Sequence, residues 1–248
     1  MRIVLIVNLL VAMPLCHGQE TKPEKQPKIV VAVPLAITPG VPTKLVLRGL
    51  FLDELSEVKS ADPELKIEIA SKGKAPVPQN YEAKRVGDTQ AELKFILPAE
   101  TVPGTLKLVA TSANGSSIPY DVMVARAEDL IEEKEPNEGF KTAQPIANGK
   151  TVVGTIHDAR NVDVFEIKGQ AGQKLLITVR ASQAGSLLDP FLTLYDASGQ
   201  VVAGNDDHDG RDPRLEIVLP KTGPYYVSVQ DANDSGGPHF AYQLKVMP

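Results

Sequence analysis

Residues 225–230 read Tyr225-Tyr226-Val227-Ser228-Val229-Gln230, and this stretch decides the fold class. Successive side chains of an extended strand point to opposite faces, so Tyr225, Val227 and Val229 share one face. Tyr226 and Ser228 share the other face. Such an alternation is typical of a strand with one side on a core and the other side near solvent. The stretch therefore predicts a strand of a β-sandwich.

Seven further short strand patterns surround this one and are separated by turns rich in glycine and aspartate. Eight short strands of this kind predict a sandwich of the jelly-roll type. The 20 prolines and 19 glycines of the chain fit a loop-rich, all-β protein. The further strands are predicted at residues 151–156, 162–167, 174–180, 191–195, 201–203, 215–219 and 242–247.

An earlier group of six strand patterns predicts a second, smaller sandwich of about 100 residues. Leu93, Phe95 and Leu97 show its period of two most clearly. The fold prediction is thus all-β, with two tandem β-sandwiches: an immunoglobulin-like N-terminal domain (residues 28–125) and a jelly-roll domain (residues 135–248), joined by a linker at 126–134. The six strands are predicted at residues 29–33, 44–48, 65–69, 91–97, 105–110 and 120–124.

The first 18 residues have the pattern of a secretory signal peptide. Arg2 precedes an apolar run over residues 3–15, and Cys16-His17-Gly18 ends the run with small residues. A run of 13 residues is shorter than the roughly 20 needed to span a bilayer. Lipidation of Cys16 is an alternative, although Met13 and Pro14 lack the small side chains that usually precede a lipidated cysteine. We expect a secreted, extracellular or periplasmic protein, with a flexible tail at residues 19–27.

Removal of a signal peptide would change both the charge and the cysteine content. The whole chain has a formal charge of −5 and a single cysteine, Cys16. Without Arg2 and Cys16 the chain would carry a formal charge of −6 and no disulfide. This acidic balance argues against nucleic acid as a partner, and a bound metal becomes a plausible means of stabilisation.

The acidic segment Glu133-Lys134-Glu135-Pro136-Asn137-Glu138 separates the two strand groups. Glu133, Glu135 and Asn137 are spaced at alternate positions, which places their oxygens on one side of an extended backbone. Calcium takes six to eight oxygen ligands with tolerant geometry, so the segment and a distant aspartate could bind one ion. A solvated acidic linker is the alternative interpretation.

A second acidic loop follows residue 204. Asn205, Asp207, Asp209 and Glu216 fall at ligand positions of the helix-loop-helix calcium pattern, but the flanking residues read as strands. Asp207 and Asp209 are therefore candidate metal ligands in a strand-to-strand loop. The alternative is a turn in which polar side chains bond their own backbone.

The C-terminal half resembles the bacterial pre-peptidase C-terminal domain family, which is related to the collagen-binding domains of clostridial collagenases. The resemblance spans about residues 130–248 and follows a series of short motifs in order. They are Glu135-Pro136-Asn137-Glu138, Gly154-Thr155-Ile156, Asp163-Val164-Phe165, Gly172-Gln173, Leu187-Leu188-Asp189-Pro190, Leu194-Tyr195-Asp196, Asn205-Asp206-Asp207 and Gly223-Pro224-Tyr225-Tyr226-Val227.

The resemblance implies a β-sandwich that binds calcium in some members and acts as an accessory module. It matches Glu133, Glu135, Asn137 and Glu138 to a calcium-binding segment, and Asp163 to a ligand in the following turn. Arg160 stands where relatives place a further aspartate, so one ion is expected rather than two, or none if Arg160 pairs with the glutamates.

We expect a non-catalytic protein, because the residues do not compose a known catalytic motif. The sequence contains neither a Gly-x-Ser-x-Gly elbow nor a His-Glu-x-x-His pair. The resemblance also points to tyrosines on a sheet face as ligand contacts, and Tyr226 is the candidate. We expect a monomer that binds an extracellular protein or polysaccharide, or a secreted peptidase. The alternatives are a hydrolase or protease inhibitor with its activity in the N-terminal domain, and a structural envelope protein.

Overall fold

The computed structural model describes residues 25–79 and 81–248, and nearly all of its regular structure is strand. About 51% of the chain is strand and 6% is helix, so the all-β prediction is confirmed. The predicted signal peptide and most of the predicted tail lie outside the described residues. No described helix is long and apolar enough to cross a membrane.

The first nine strands form two sheets with a buried apolar core between them. One sheet has the order β1-β3-β6-β5, and the other has the order β2-β9-β7-β4 with β8 beside β7. The strands are β1 (Lys28–Val33), β2 (Ala36–Ile37), β3 (Pro42–Leu50), β4 (Leu55–Ser60), β5 (Glu68–Lys74), β6 (Thr89–Ile96), β7 (Gly104–Ser112), β8 (Gly115–Ser116) and β9 (Tyr120–Val124).

Strands β4 and β5 differ from the sequence prediction. No strand is predicted at β4, because the buried residues Leu55 and Val58 are three positions apart; a bulge between Leu55 and Glu57 breaks the period of two. Leu65 packs against the core from a loop, and the predicted strand at 65–69 begins only at Glu68. Helical structure in this half consists of a 3₁₀ turn (Leu52–Glu54) and α1 (Ala83–Val86).

The remaining ten strands form two five-stranded sheets that enclose a second core. One has the order β10-β12-β19-β14-β17 and the other β11-β13-β18-β15-β16. Two 3₁₀ turns, Ala127–Asp129 and Ser182–Ala184, accompany them. The strands are β10 (Leu130–Glu132), β11 (Gln144–Pro145), β12 (Thr151–Thr155), β13 (Val162–Gly169), β14 (Lys174–Arg180), β15 (Pro190–Tyr195), β16 (Val201–Asn205), β17 (Arg214–Val218), β18 (Gly223–Asp231) and β19 (Ala241–Met247).

Strand β18 follows the predicted alternation except at Ser228, which shares the outer face of Tyr226 but is 2% exposed because its strand lies inside the sheet between β13 and β15. Tyr225, Val227 and Val229 are at most 1% exposed, whereas Tyr226 is partly exposed. Strand β10 falls within the predicted linker and pairs in parallel with β12, so this stretch begins a C-terminal sheet. The division of the chain into two tandem domains stays a prediction.

The two halves of the chain touch through buried polar contacts. Tyr120 on β9 donates its hydroxyl hydrogen to the Ala184 carbonyl at 2.8 Å, and the Gln243 side-chain amide on β19 donates to the Leu35 carbonyl at 2.9 Å. Gly185 lies so close to Val30 that an added Cβ would meet the Val30 carbonyl oxygen at 1.8 Å. Close backbone approach at this boundary therefore requires glycine.

Arg48 and His239 form a further buried contact between the halves. Arg48 is 1% exposed, and its guanidinium donates to the carbonyls of Val86 and Gly87 and to that of Pro76. Its Nη1 lies 2.7 Å from His239 Nε2. Arginine has no acceptor, so His239 Nε2 must accept and the ring must be neutral. Burial, followed by the Arg48 charge, lowers the pKa of His239 to about 4.

Candidate metal centre

The acidic segment is held in place by backbone bonds to two strands from different sheets. The Glu133 amide donates to Val153 on β12 at 3.1 Å, and Val164 on β13 donates to the Asn137 carbonyl at 2.9 Å. The segment therefore crosses the end of the C-terminal core from one sheet to the other. This path places its oxygens above the ends of β13 and β19.

Three carboxylates converge at this end of the core. One oxygen from each of Glu133, Glu135 and Asp163 lies within 4.8 Å of the other two. Asp163 is on β13, on the same inward face as Phe165 and Ile167, and is 0% exposed. Three acidic groups at this separation repel one another, and burial strengthens the repulsion.

Two buried oxygens of the site have no hydrogen-bond partner within the described chain. They are Asn137 Oδ1 and Asp163 Oδ1. Asn137 is 0% exposed, and its Nδ2 donates to Glu133 Oε1 at 3.1 Å, so its amide lies against the carboxylate group. A buried acceptor without a partner is unfavourable by about 1–3 kcal/mol, which makes two in one site informative.

Tyr242 on β19 is a member of the site that the sequence analysis missed. Its hydroxyl lies 2.6 Å from Asp163 Oδ2 and 3.1 Å from Glu133 Oε1. Burial raises the pKa of Tyr242 well above its usual value, so the hydroxyl stays a neutral donor. The sequence offered one indication of this role: Tyr242 alternates with Leu244 and Val246 on the inward face of β19, so its polar hydroxyl needs a buried partner.

Gly154 on β12 leaves the space that the site occupies. A Cβ at this position would lie 2.5 Å from Tyr242 Cζ and 2.8 Å from Glu133 Oε2. Gly154 pairs with Tyr242 across the sheet, and the neighbouring Thr155 amide donates to Glu133 Oε2 at 2.7 Å. The glycine thus allows the ring and the carboxylate to lie directly on the strand backbone.

The site gathers three carboxyl groups with no buried cation beside them in the described chain, and Asp163 responds by keeping its proton. Burial raises the pKa of Asp163 to about 9, with the neighbouring Glu133 carboxylate as the next cause. Arg160 is exposed and forms no ion pair within residues 25–79 and 81–248, so it does not pair with the glutamates. His157 Nδ1 approaches Glu135 Oε1 at 3.6 Å from an exposed position. Oxygen donors with excess negative charge fit a hard divalent cation.

Three predicted ligands lie elsewhere. Glu138 is exposed and is not part of the carboxylate group. Asp207 and Asp209 are exposed in the β16–β17 loop, and no acidic group of three forms around them in the described chain. The loop has other partners for its oxygens, because Asn205 Oδ1 accepts from the Arg214 amide and the Glu216 carboxylate pairs with the Arg214 side chain. The loop therefore resembles the alternative interpretation, a turn whose polar side chains form their bonds within the turn and its flanking strands.

Tyr226 belongs to a small aromatic cluster on the outer face of β18. Its ring stacks on Phe140 with a centroid distance of 4.6 Å, and Phe140 meets Tyr195 edge to face at 5.2 Å. Phe140 is 40% exposed, whereas the two tyrosines are half-buried beneath it. The exposed surface of this cluster is therefore mainly that of Phe140.

Comparison with known proteins finds a family match within the C-terminal half. Residues 161–231 match the model of the bacterial pre-peptidase C-terminal domain. The chain is 36% identical over 140 residues to a probable subtilase-type serine protease of Deinococcus radiodurans; the match covers 54% of this chain and 19% of that relative's length. The chain therefore spans about a fifth of the curated relative it matches.

Solved structures give weaker likenesses. The pre-peptidase C-terminal domain of a Bacillus anthracis collagenase is 20% identical, with 46% of this chain and 99% of that chain covered and a TM-score of 0.36. A secreted serine protease of Vibrio cholerae is 10% identical, with 86% and 48% covered and a TM-score of 0.30. The family match at residues 161–231 thus confirms the resemblance of the C-terminal half to the bacterial pre-peptidase C-terminal domain family.

Proposed function

We propose that this chain is a secreted, non-catalytic accessory protein whose C-terminal sandwich is stabilised by one calcium ion. A pre-peptidase C-terminal domain fits an accessory module of a secreted protein. Glu133, Glu135, Asp163 and the Asn137 side-chain oxygen would hold the ion. The ion would supply the positive charge that three converging carboxylates lack.

The observation that carries this proposal is the pair of buried oxygens without partners, Asn137 Oδ1 and Asp163 Oδ1. An acidic group at the surface needs no ion, but an unpartnered carboxylate oxygen at 0% exposure does need compensation. The donors in the site are all oxygens, which favours calcium over zinc. Their placement on an irregular segment and one strand suits the tolerant geometry of calcium better than the strict octahedron of magnesium.

Thermal unfolding of a protein comprising residues 19–248, measured with excess calcium and with chelator, tests whether calcium binds. An ion at 100 times its Kd stabilises the folded state by about 2.7 kcal/mol. Glu135→Gln is expected to remove most of this gain, and Glu138→Gln, an exposed neighbour outside the group, is expected to keep it. Equal melting temperatures with calcium and with chelator would refute the proposal.

Terbium luminescence gives a second readout that does not depend on stability. The Tyr242 hydroxyl bonds two of the candidate ligands, so its ring lies close enough to sensitise a bound lanthanide. We expect tyrosine-excited terbium emission that calcium displaces and that Tyr242→Phe strongly reduces, because this variant removes the sensitising ring. Emission that persists unchanged in Glu135→Gln would assign the ion to another site.

The accessory role needs a binding surface, and we propose the aromatic cluster of Phe140, Tyr195 and Tyr226 for contact with an extracellular protein or polysaccharide, or with a secreted peptidase. Exposed aromatic area is a common anchor of recognition surfaces. Retention of the chain on matrix and cell-wall preparations in calcium is expected to fall with Phe140→Ala. Equal retention of the parent and the variant would exclude the cluster.

A hydrolase is the rival function, because a relative carries the name of a subtilase-type serine protease. We favour the non-catalytic role because the matched family is a non-catalytic domain. Turnover of a protease substrate by the purified chain would overturn it, provided that a mock purification shows none.

A further inference from the structure

A cleft of about 550 Å³ lies between the N-terminal and C-terminal sheets. Its volume is within the range of ordinary ligand sites. Residues from both halves line it, so neither half forms it alone. Its apolar lining includes Val33, Pro34, Ala36, Val41, Leu130 and Val153.

The cleft runs between two strands that each end a sheet. Ala36 belongs to β2, the end strand of one N-terminal sheet, and Leu130 belongs to β10, the end strand of one C-terminal sheet. End strands are the usual docking places for an extended peptide, because the peptide can align its backbone with theirs. The apolar side chains between them offer pockets for alternate residues of such a peptide.

The charge of the cleft is one-sided. Its titratable lining groups are Glu132, Glu133 and His157, and neither lysine nor arginine lines it within the described chain. The Glu133 carboxylate already accepts bonds from Tyr242 and Thr155. Glu132 is exposed and forms no ion pair among the described residues, so its carboxylate is available to a cationic partner. Lined this way, the cleft favours basic ligands.

We propose that this cleft binds an extended peptide in which apolar residues alternate with lysine or arginine. The inference goes beyond the proposed function, because none of the three aromatic-cluster residues lines the cleft, and it does not need the calcium ion. Apolar side chains would lie against Val41 and Leu130, with a basic side chain beside Glu132. Val41 is 49% exposed without such a partner.

Fluorescence anisotropy with two labelled hexapeptides tests the proposal. One peptide alternates valine with lysine, and the other alternates valine with glutamate. We expect the lysine peptide to bind at least about tenfold more tightly, because the acidic peptide meets like charges. Glu132→Gln is expected to weaken binding by about fivefold, the upper end for an exposed ion pair. The control Glu138→Gln is expected to change it by less than about twofold.

A second variant tests the shape of the cleft independently of its charge. Ala127 is exposed at the lining, and Ala127→Phe is expected to block the peptide while the melting temperature stays within about 2 °C of the parent, as for other surface changes. Equal binding of the two peptides, or equal effects of Glu132→Gln and Glu138→Gln, would overturn the proposal. If calcium does not shift the melting temperature but the lysine peptide still binds specifically, the proposed calcium site is refuted and the proposed peptide cleft stands.

Discussion

Replacement of Asp163 by asparagine separates the penalty of the buried carboxylate from its use as a ligand. Asp163 is 0% exposed, and burial raises its pKa from 3.8 to about 9. Asparagine has the same size and no charge. Its oxygen can still accept from Tyr242 Oη, which lies 2.6 Å from Asp163 Oδ2, and its amide can donate toward Glu133. The variant therefore keeps the packing and removes the ionisation.

The expected magnitude follows from the two pKa values. An acid with a folded pKa above its unfolded value keeps a proton in the folded state that the unfolded chain releases. The stability of the ion-free protein therefore falls as the pH rises from about 4 to about 9. At pH 7 this loss spans about three pH units, or on the order of 4 kcal/mol. Ion-free Asp163→Asn is thus expected to be more stable than the parent at pH 7 and similar to it at pH 4.

Urea unfolding of residues 19–248 at pH 4 and pH 7, with chelator and with calcium, measures both effects. Calcium is expected to stabilise the parent at pH 7 by about 2.7 kcal/mol at 100 times Kd and to leave Asp163→Asn unchanged. Asp207→Asn, in the exposed β16–β17 loop, serves as the control and should match the parent. A variant less stable than the parent in chelator at pH 7 would refute the reasoning, because it would mean that the ionised carboxylate is already compensated.

Three further predictions concern other contacts. Gly154→Ala is expected to destabilise the chain by about 1–3 kcal/mol and to abolish the calcium shift in melting temperature. The control Gly73→Ala, with open space around its Cβ, should do neither. Equal melting temperatures of Gly154→Ala and the parent would contradict the close packing. The pKa of His239 is about 4 in the folded chain and 6.5 in the unfolded chain, so its contribution to the free energy of unfolding is present above pH 6.5 and is lost as the pH falls toward 4. Urea unfolding is expected to show a loss of about 3 kcal/mol over this range relative to His239→Gln. Parallel pH profiles of the two proteins would exclude this. A double-mutant cycle of Phe140→Ala and Tyr226→Ala is expected to give a coupling of about 0.5–1.5 kcal/mol from their stacking, and a coupling near zero would argue against the cluster.

Local patterns in the sequence predicted much of the strand content. The period of two in residues 225–230 identified Tyr225 as a core residue and Tyr226 as an outer one, and both are so placed. The pattern works because strand alternation is a property of the backbone itself. It failed at β4, where a bulge shifts the register between Leu55 and Glu57.

The candidate site was predicted only in part. The alternate spacing of Glu133, Glu135 and Asn137 suggested convergence, and the family resemblance added Asp163; the structure brings these four together. Glu138 was predicted as a ligand from the same acidic segment, but its side chain is exposed and lies outside the group. On an irregular segment, the direction of a side chain depends on what the segment packs against. The spacing of residues in the sequence carries no information about that packing.

The sequence by itself determined the all-β class, the family resemblance of the C-terminal half and the acidic residues that converge at the end of its core. Only the tertiary structure decided that Tyr242 bridges Glu133 and Asp163, that Arg48 faces His239, and that β2 and β10 enclose a cleft. These partners are far apart along the chain: 79 positions separate Asp163 from Tyr242 and 191 separate Arg48 from His239. The period of a strand is local, whereas its neighbours in a sheet are set by which distant strands bury each other's apolar faces.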